Sequence, residues 1–149
     1  MLKTRVEQGF SLLELVLVFI LVGVVAAVAA PRWAGWTTDL ERHAASLGAD
    51  LRYAQSQAMH QGRGYTLCLD GEGYSLHAGT DCGGNTQAFA DGRTRRSLQG
   101  VAVVGADTVR FRSPMGSVDD AAEIQLTAGG RTVTVSVEAE TGYVSDGAQ

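Results

Sequence analysis

Chemically reactive side chains are few in this chain of 149 residues. Its two cysteines, Cys68 and Cys82, do not have the spacing of a Cys-x-x-Cys redox motif. Its three histidines are scattered and do not combine with the cysteines into the ligand spacing of a zinc site. The sequence Ser113-Pro114-Met115-Gly116 lacks the glycine on either side of the serine that marks a hydrolase nucleophile. We therefore expect no enzymatic activity, no metal site and no cofactor.

Basic side chains are absent from the C-terminal end, residues 138–149. The formal net charge of −4 also gives the chain no overall affinity for nucleic acid or anionic lipid. The one dense basic run contains Arg93, Arg95 and Arg96 and is predicted to lie in a loop. These arginines would contact a few phosphates weakly and in a salt-sensitive way. The alternative is a solvated loop or an ion-pair edge that meets acidic neighbours.

A long apolar run, residues 10–30, contains only two markedly polar side chains, Ser11 and Glu14. As a helix it would be roughly 31 Å long, about the thickness of the hydrocarbon core of a membrane. A secretory signal has a shorter apolar run, and a carboxylate inside that run is unfavourable. The sequence therefore predicts a transmembrane segment at residues 10–30, with Glu14 as a candidate functional residue.

A second pattern, at residues 31–62, is typical of an amphipathic helix. Apolar residues recur at steps of three or four, which places them on one face. The pattern ends near Gln61-Gly62, a suitable C-terminal stop. Pro31 removes a backbone hydrogen bond, so we expect the joint helix to bend or loosen there. The residues of the stripe are Trp33, Trp36, Leu40, Ala44, Leu47, Leu51, Ala54 and Ala58.

The remaining residues, 63–149, read as β structure without repeats or low-complexity tracts. Short segments rich in Val, Thr, Leu and Tyr are separated by Gly-containing turns, which favours antiparallel strands. A Gly-rich polar stretch, residues 79–92, interrupts the pattern. The predicted fold class is α+β, with a long N-terminal helix packed on a small antiparallel β domain. The predicted strands are residues 65–69, 74–77, 101–104, 108–112, 123–127, 132–138 and 142–145.

The sequence Gly9-Phe10-Ser11-Leu12-Leu13-Glu14-Leu15 resembles the class III signal of type IV pilin-like proteins. The resemblance implies that residues 1–9 are a leader, which a prepilin peptidase removes between Gly9 and Phe10 before Phe10 is N-methylated. Glu14 then becomes the fifth residue of the mature chain, whose net charge is about −5. Gly23 and Pro31 fall where the family has residues that weaken the helix, and would assist assembly with Glu14.

The leader carries Lys3 and Arg5 against Glu7, which favours its retention in the cytoplasm. The chain would then be a single-pass protein of the inner membrane of a Gram-negative cell, with its C-terminal domain in the periplasm. In that oxidising compartment, Cys68 and Cys82 most simply form one disulfide, worth about 3 kcal/mol for a loop of this length.

The C-terminal half resembles the GspH/FimT family. It has a phenylalanine, Phe111, followed closely by Pro114-Met115-Gly116, and ends on Gly142-Tyr143-Val144. Residues 51–58 match the Arg-x-Ala-x-x-x-Ala run that closes the family's helix. Tyr143 departs from the family, which usually has arginine there, and we interpret this as neutral drift or a local surface change. A minor pilin of the mannose-sensitive-haemagglutinin type is a related possibility.

The resemblance implies a minor pilin or pseudopilin, a structural subunit that joins or primes a type IV pilus or a type II secretion pseudopilus. Its partners would be other pilins along the N-terminal helix, the prepilin peptidase and the inner membrane. Glu14 would pair with the free amine at Phe10 of a neighbouring subunit, or alternatively with its own N-terminus. The alternative function is a DNA-binding minor pilin for DNA uptake.

Overall fold

The computed structural model describes the backbone of residues 12–148 and, within that range, every side chain except those of residues 28–38 and 148. The chain divides into two compact units, Met1–Gly35 and Trp36–Gln149. The predicted processing residues Gly9 and Phe10 lie outside the described residues, and so do the side chains of Pro31, Trp33 and Trp36.

One helix, α1, spans Leu12–Gln61 and includes the position of Pro31. In the first unit, every described side chain from Leu12 to Ala27 is exposed. No helical segment of the described residues has the length and apolarity that a membrane span requires. The predicted span, residues 10–30, extends at both ends beyond the described side chains, so it stays a prediction.

In the second unit, the helical stripe forms one side of the core. All six stripe residues from Leu40 to Ala58 are buried, which confirms the predicted face. The helix ends at Gln61, and Gly62 follows in the left-handed conformation with φ of +66°. Glycine adopts this conformation without a steric penalty, which explains why the helix ends where the sequence predicts.

The strands form two antiparallel sheets. The first contains β1 Tyr65–Leu69, β2 Gly73–Ala78, β3 Asn85–Gln87, β4 Arg95–Ser97 and β6 Thr108–Phe111. Its order is β3-β2-β1-β6, and β4 pairs with β2 beside β3. The second contains β5 Ala102–Gly105, β7 Ala122–Ala128, β8 Arg131–Val137 and β9 Val144–Ala148, in the order β5-β7-β8-β9.

Alternation along the strands directs one face of each sheet into the core. In β8, Val133, Val135 and Val137 are buried, whereas Thr134 and Ser136 between them are half-buried. Side chains from the helix and from both sheets belong to one hydrophobic cluster. The α+β prediction is therefore confirmed.

Two strands were not predicted. Asn85–Gln87 forms β3 inside the polar stretch expected to be irregular, and Arg95–Ser97 forms β4 where a loop was expected. The loop prediction for the basic run is therefore wrong at Arg95 and Arg96. Both strands have only three residues, too few for alternation to reveal them, and both form because β2 offers them an open edge.

The disulfide between Cys68 and Cys82 is formed, with a distance of 5.9 Å between the two Cα atoms. It ties β1 to the segment that follows β2, fourteen residues later in the chain. This agrees with the pairing expected from the sequence.

Candidate functional site

The predicted assembly residues lie on the apolar part of α1. Glu14 is in the first turn of the helix, and its side chain is exposed among leucines and valines that are exposed as well. A Cβ atom added at Gly23 would meet nothing within 4 Å. Among the described residues, substitution at Gly23 therefore meets no steric obstacle.

The side-chain amide of Gln55 hydrogen-bonds α1 to two turns of the β domain. Its Nε2 atom donates to the carbonyl oxygen of Gly116 at 3.1 Å and to that of Thr141 at 2.9 Å. These acceptors belong to two separate turns, one after β6 and one after β8. A single side chain therefore holds both turns against the helix.

Two glycines make room for this contact. A Cβ atom at Gly142 would overlap the carbonyl oxygen of Gly116 and lie 2.6 Å from Nε2 of Gln55. A Cβ atom at Gly116 would lie 2.8 Å from Cγ of Gln55. Both glycines have positive φ, +69° at Gly116 and +63° at Gly142. Glycine is needed at both positions, because it adopts positive φ without strain and because a Cβ atom would collide with the neighbouring atoms.

Arg52 continues the same junction toward β9. Its guanidinium donates to the carbonyl oxygen of Val144 at 3.1 Å and to Oδ1 of Asp146 at 2.8 Å. We call Arg52, Gln55, Gly116, Gly142 and Val144 the motif junction, because the GspH/FimT-like motifs supply all five. The sequence showed these motifs separately, and the structure brings them together.

The side chains that flank the motif junction point outward. Met115 is 76% exposed and Tyr143 is 61% exposed. The departure from the family at Tyr143 is therefore at the surface, where both neutral drift and a local surface change are compatible with the structure.

Asp50 is the centre of a second cluster that sequence reasoning missed. Asp50 lies on the buried face of α1, and the residue is only 5% exposed. Oδ2 of Asp50 accepts hydrogen bonds from the Tyr74 hydroxyl and from Nε of Arg96, each at 2.9 Å. Nη1 of Arg96 also contacts Oδ2 of Asp91 at 2.7 Å, and the guanidinium lies 5.3 Å from the centre of the Phe89 ring.

Burial and charge determine the protonation of this cluster. Burial raises the pKa of the Tyr74 phenol above its usual range, so the hydroxyl stays a donor to Asp50. The hydrogen bond to Asp50 raises the pKa of the Arg96 guanidinium, which keeps its charge. A buried carboxylate is acceptable only when it is paired and hydrogen-bonded, and Arg96 and Tyr74 satisfy both conditions. The cluster therefore fixes β2 and β4 to the helix.

The other two arginines of the basic run also lie beside aspartates. Nη1 of Arg95 is 2.7 Å from Oδ2 of Asp70, and Nε of Arg93 is 3.6 Å from Oδ2 of Asp91. The hydrogen bond from Arg95 lowers the pKa of Asp70. All three arginines proposed for phosphate contact are thus in ion pairs, as in the alternative that the sequence left open. Arg95 is 25 residues from Asp70 along the chain and Arg96 is 46 residues from Asp50, so spacing could not show these two pairs.

No group of three or more His, Cys, Asp or Glu side chains is placed to hold a metal ion within the described residues. The ring nitrogens of His77 have ordinary hydrogen-bond partners at 2.9 Å each, Nδ1 with the Gly84 carbonyl oxygen and Nε2 with the Ser75 hydroxyl.

We predict that Gly142→Ala destabilises the protein much more than Gly130→Ala does. Both glycines have positive φ, +63° and +77°, so both variants incur the same backbone strain of about 1–2 kcal/mol. A Cβ atom at Gly130 meets nothing within 4 Å, whereas at Gly142 it collides with Gly116 and Gln55. Overpacking should add about 2 kcal/mol to the loss at Gly142. Urea titration of the detergent-solubilised chain measures both free energies of unfolding. Equal losses of stability in the two variants would contradict the close packing of Gly142 against Gly116 and Gln55.

Arg96→Ala and Arg95→Ala form a second matched pair on β4. Removing Arg96 leaves Asp50 buried without its cation, which should lower the free energy of unfolding by about 3 kcal/mol. Removing Arg95 affects only an ion pair that is half-exposed on both sides, and stability should be nearly unchanged. The same urea titration distinguishes the two, and a large loss for Arg95→Ala would be the contrary result.

Comparisons with known proteins agree with this architecture. The family model of the type II transport protein GspH matches residues 43–141. The fold is similar to that of the type IV minor pilin FimU of Pseudomonas aeruginosa, with a TM-score of 0.59 and 18% identity, over 74% of this chain and 90% of that one. It is also similar to that of the minor pseudopilin EpsH of the Vibrio cholerae type 2 secretion system. There the TM-score is 0.62 and the identity 15%, over 74% of this chain and 97% of that one.

No curated protein sequence matches the chain at a significant level. The two structural likenesses, at identities below one fifth, show a shared fold. The family match covers more than half of the chain, including the Gln55 and Gly116 parts of the motif junction. The chain belongs to the GspH family and is a type IV pilin-like protein of the GspH/FimT type.

Proposed function

We propose that this protein is a minor pilin or pseudopilin that enters a helical filament through its N-terminal helix. The observation that carries the proposal is the joining of two parts. The first part is the N-terminal segment of α1, whose described side chains from Leu12 to Ala27 are all exposed and almost all apolar. The second part is the GspH-type unit, which begins in the same helix and continues into the β strands.

The exposed apolar segment needs a non-aqueous environment. Each Å² of apolar surface removed from water contributes about 25 cal/mol, and long residues such as Phe19 and Ile20 are exposed here over most of their surface. A membrane before assembly and a bundle of identical or related helices after assembly both supply that environment. The single carboxylate, Glu14, then decides the register in which helices pack. A neighbouring subunit's amine at Phe10 would neutralise it only at one axial position.

Processing precedes this step in the proposal. A prepilin peptidase removes residues 1–9 at the inner membrane, which exposes the amine of Phe10. The β unit then lies in the periplasm, where the Cys68–Cys82 disulfide is stable.

The machine is of the pilus or secretion type. EpsH is a minor pseudopilin of a type 2 secretion system and FimU is a type IV minor pilin. We propose that this chain has a corresponding place, at the tip or at initiation of such a filament. A structural role needs no catalytic group, and none is proposed. The DNA-uptake alternative is disfavoured, because Arg93, Arg95 and Arg96 all lie in ion pairs with aspartates.

The mature N-terminus is the first prediction of this proposal. In cells with the peptidase, the protein should begin at N-methylated Phe10, and intact mass with terminal sequencing measures this. Gly9→Leu should retain the leader, because the peptidase requires a small residue before the cut. Gly23→Ala is the control and should be processed normally, since the structure leaves space at this position. A wild-type chain that starts at Met1, or near Pro31, would overturn the proposal.

Glu14→Val tests assembly separately from processing. The variant should reach the membrane and lose residues 1–9, because an apolar residue suits a membrane span better than a carboxylate does. Its amount in sheared filaments should fall by at least about tenfold, since the neighbour's amine would lose its partner. Glu41→Gln, a surface variant of the second unit, should assemble like the wild type. Undiminished incorporation of the Glu14→Val chain would rule out the pairing.

A further inference from the structure

A cleft of about 460 Å³ opens on the β unit beside β6. Thr108 and Arg110 of β6 form one wall, Asp119 and Asp120 form another, and Asp81 and Cys82 come from the segment after β2. The disulfide fixes that last segment to β1. The cleft is therefore held open by covalent and ionic contacts and does not depend on loop conformation alone.

The backbone of β6 can be oriented from its pairing with β1. The amide of Leu69 donates to the carbonyl oxygen of Asp107 at 2.8 Å, next to the registered pair Cys68–Thr108. In an antiparallel pair, hydrogen-bonded and non-hydrogen-bonded positions alternate. Val109 and Phe111 therefore face β1 with their backbone groups, whereas the N–H and C=O groups of Thr108 and the N–H of Arg110 point to the other side.

On that other side, β6 is an edge of its described sheet. The following chain returns along β6 only briefly, through the bridge Phe111–Val118 and the bond from the Arg112 amide to the Ser117 carbonyl at 2.8 Å. It then leaves to become β7 in the other sheet. The returning chain thus covers the edge as far as Arg110, and no described strand pairs with the outward N–H and C=O groups of Thr108, which lines the cleft.

The charge of the cleft favours a basic occupant. Its charged lining residues are three carboxylates, Asp81, Asp119 and Asp120, against one guanidinium, Arg110. Asp119 neutralises that guanidinium at 3.0 Å and also binds Arg112 at 2.6 Å. The remaining field is negative, so an anionic ligand would be repelled and a lysine or arginine attracted.

We propose that the cleft is a docking site for an extended segment of another protein that carries lysine or arginine side chains. The segment would add a short strand to the outer edge of β6, with main-chain hydrogen bonds to Thr108. Its basic side chains would lie against Asp81 and Asp120. The volume of about 460 Å³ suits a segment of a few residues. This goes beyond filament entry, which uses the N-terminal helix, and it does not depend on it.

The test uses the full chain in detergent micelles and a fluorescent hexapeptide, Thr-Val-Lys-Val-Lys-Thr, blocked at both ends. Fluorescence anisotropy should show saturable binding. The peptide with Glu in place of both Lys should bind at least about tenfold more weakly, because the charge complementarity is reversed. The Lys peptide with N-methylated lysines and valines should bind weakly as well, since it then lacks the central strand-forming amides whichever direction the segment runs.

Matched variants of the chain locate the site. Thr108→Pro removes the outward N–H, a change that the first residue of an edge strand tolerates, and should abolish binding. Thr108→Val keeps the N–H and should bind like the wild type. Asp120→Asn should weaken binding about fivefold, whereas Glu41→Gln, on the helix, should have no effect.

Absence of saturable binding of the Lys peptide would overturn the proposal. Equal binding by the Thr108→Pro chain or by the N-methylated peptide would also overturn it, because attraction between charges alone would then account for the signal. An unchanged thermal unfolding midpoint of Thr108→Pro shows that its loss of binding is not a loss of fold. If that variant is unstable, the N-methylated peptide and Asp120→Asn decide the question.

Discussion

The burial of one face of α1 is the constraint on which the second unit depends. Leu47, Leu51 and Ala54 are fully buried, and the two sheets complete the same hydrophobic core around them. An apolar stripe alone fixes which face of the helix is covered, but not the position of each sheet along it. That position is set by polar contacts at two points, Asp50 with Arg96 for the first sheet and Gln55 with the C-terminal turns for the second.

These two polar contacts differ in physical character. The Asp50 contact is an ion pair inside the core, where solvent screens charge poorly and the carboxylate depends on its partners. The Gln55 contact is neutral and directional, and it depends on two glycines that let backbone approach backbone. The family match includes both helix residues, since it begins at residue 43. The helix of this chain is therefore both a core element and the source of the contacts that order its sheets.

The features that could be predicted from the sequence are those that depend on residues close together along the chain. The helical stripe, the stop at Gly62 and the alternation in β8 depend only on neighbours within a few residues, and the structure confirms them. The three-residue strands β3 and β4 were missed because only their pairing with β2 defines them. The partners of Asp50 and Arg95 were missed for a similar reason, because burial and charge pairing arise only when distant segments meet. The motifs of the junction were recognised one by one from family resemblance, whereas their contacts with each other needed the structure.

The motif junction also has a consequence for the order of folding. Gln55 and Arg52 are in the first half of the chain, but their acceptors at Thr141, Val144 and Asp146 are among the last residues to be synthesised. The side chains of the Asp50 cluster all lie within residues 50–96, so that cluster has its partners long before the chain is complete. The motif junction, by contrast, needs Gly142 and Val144, and a chain that ends before Gly142 lacks both. Attachment of the second sheet to Arg52 therefore depends on the residues that are synthesised last.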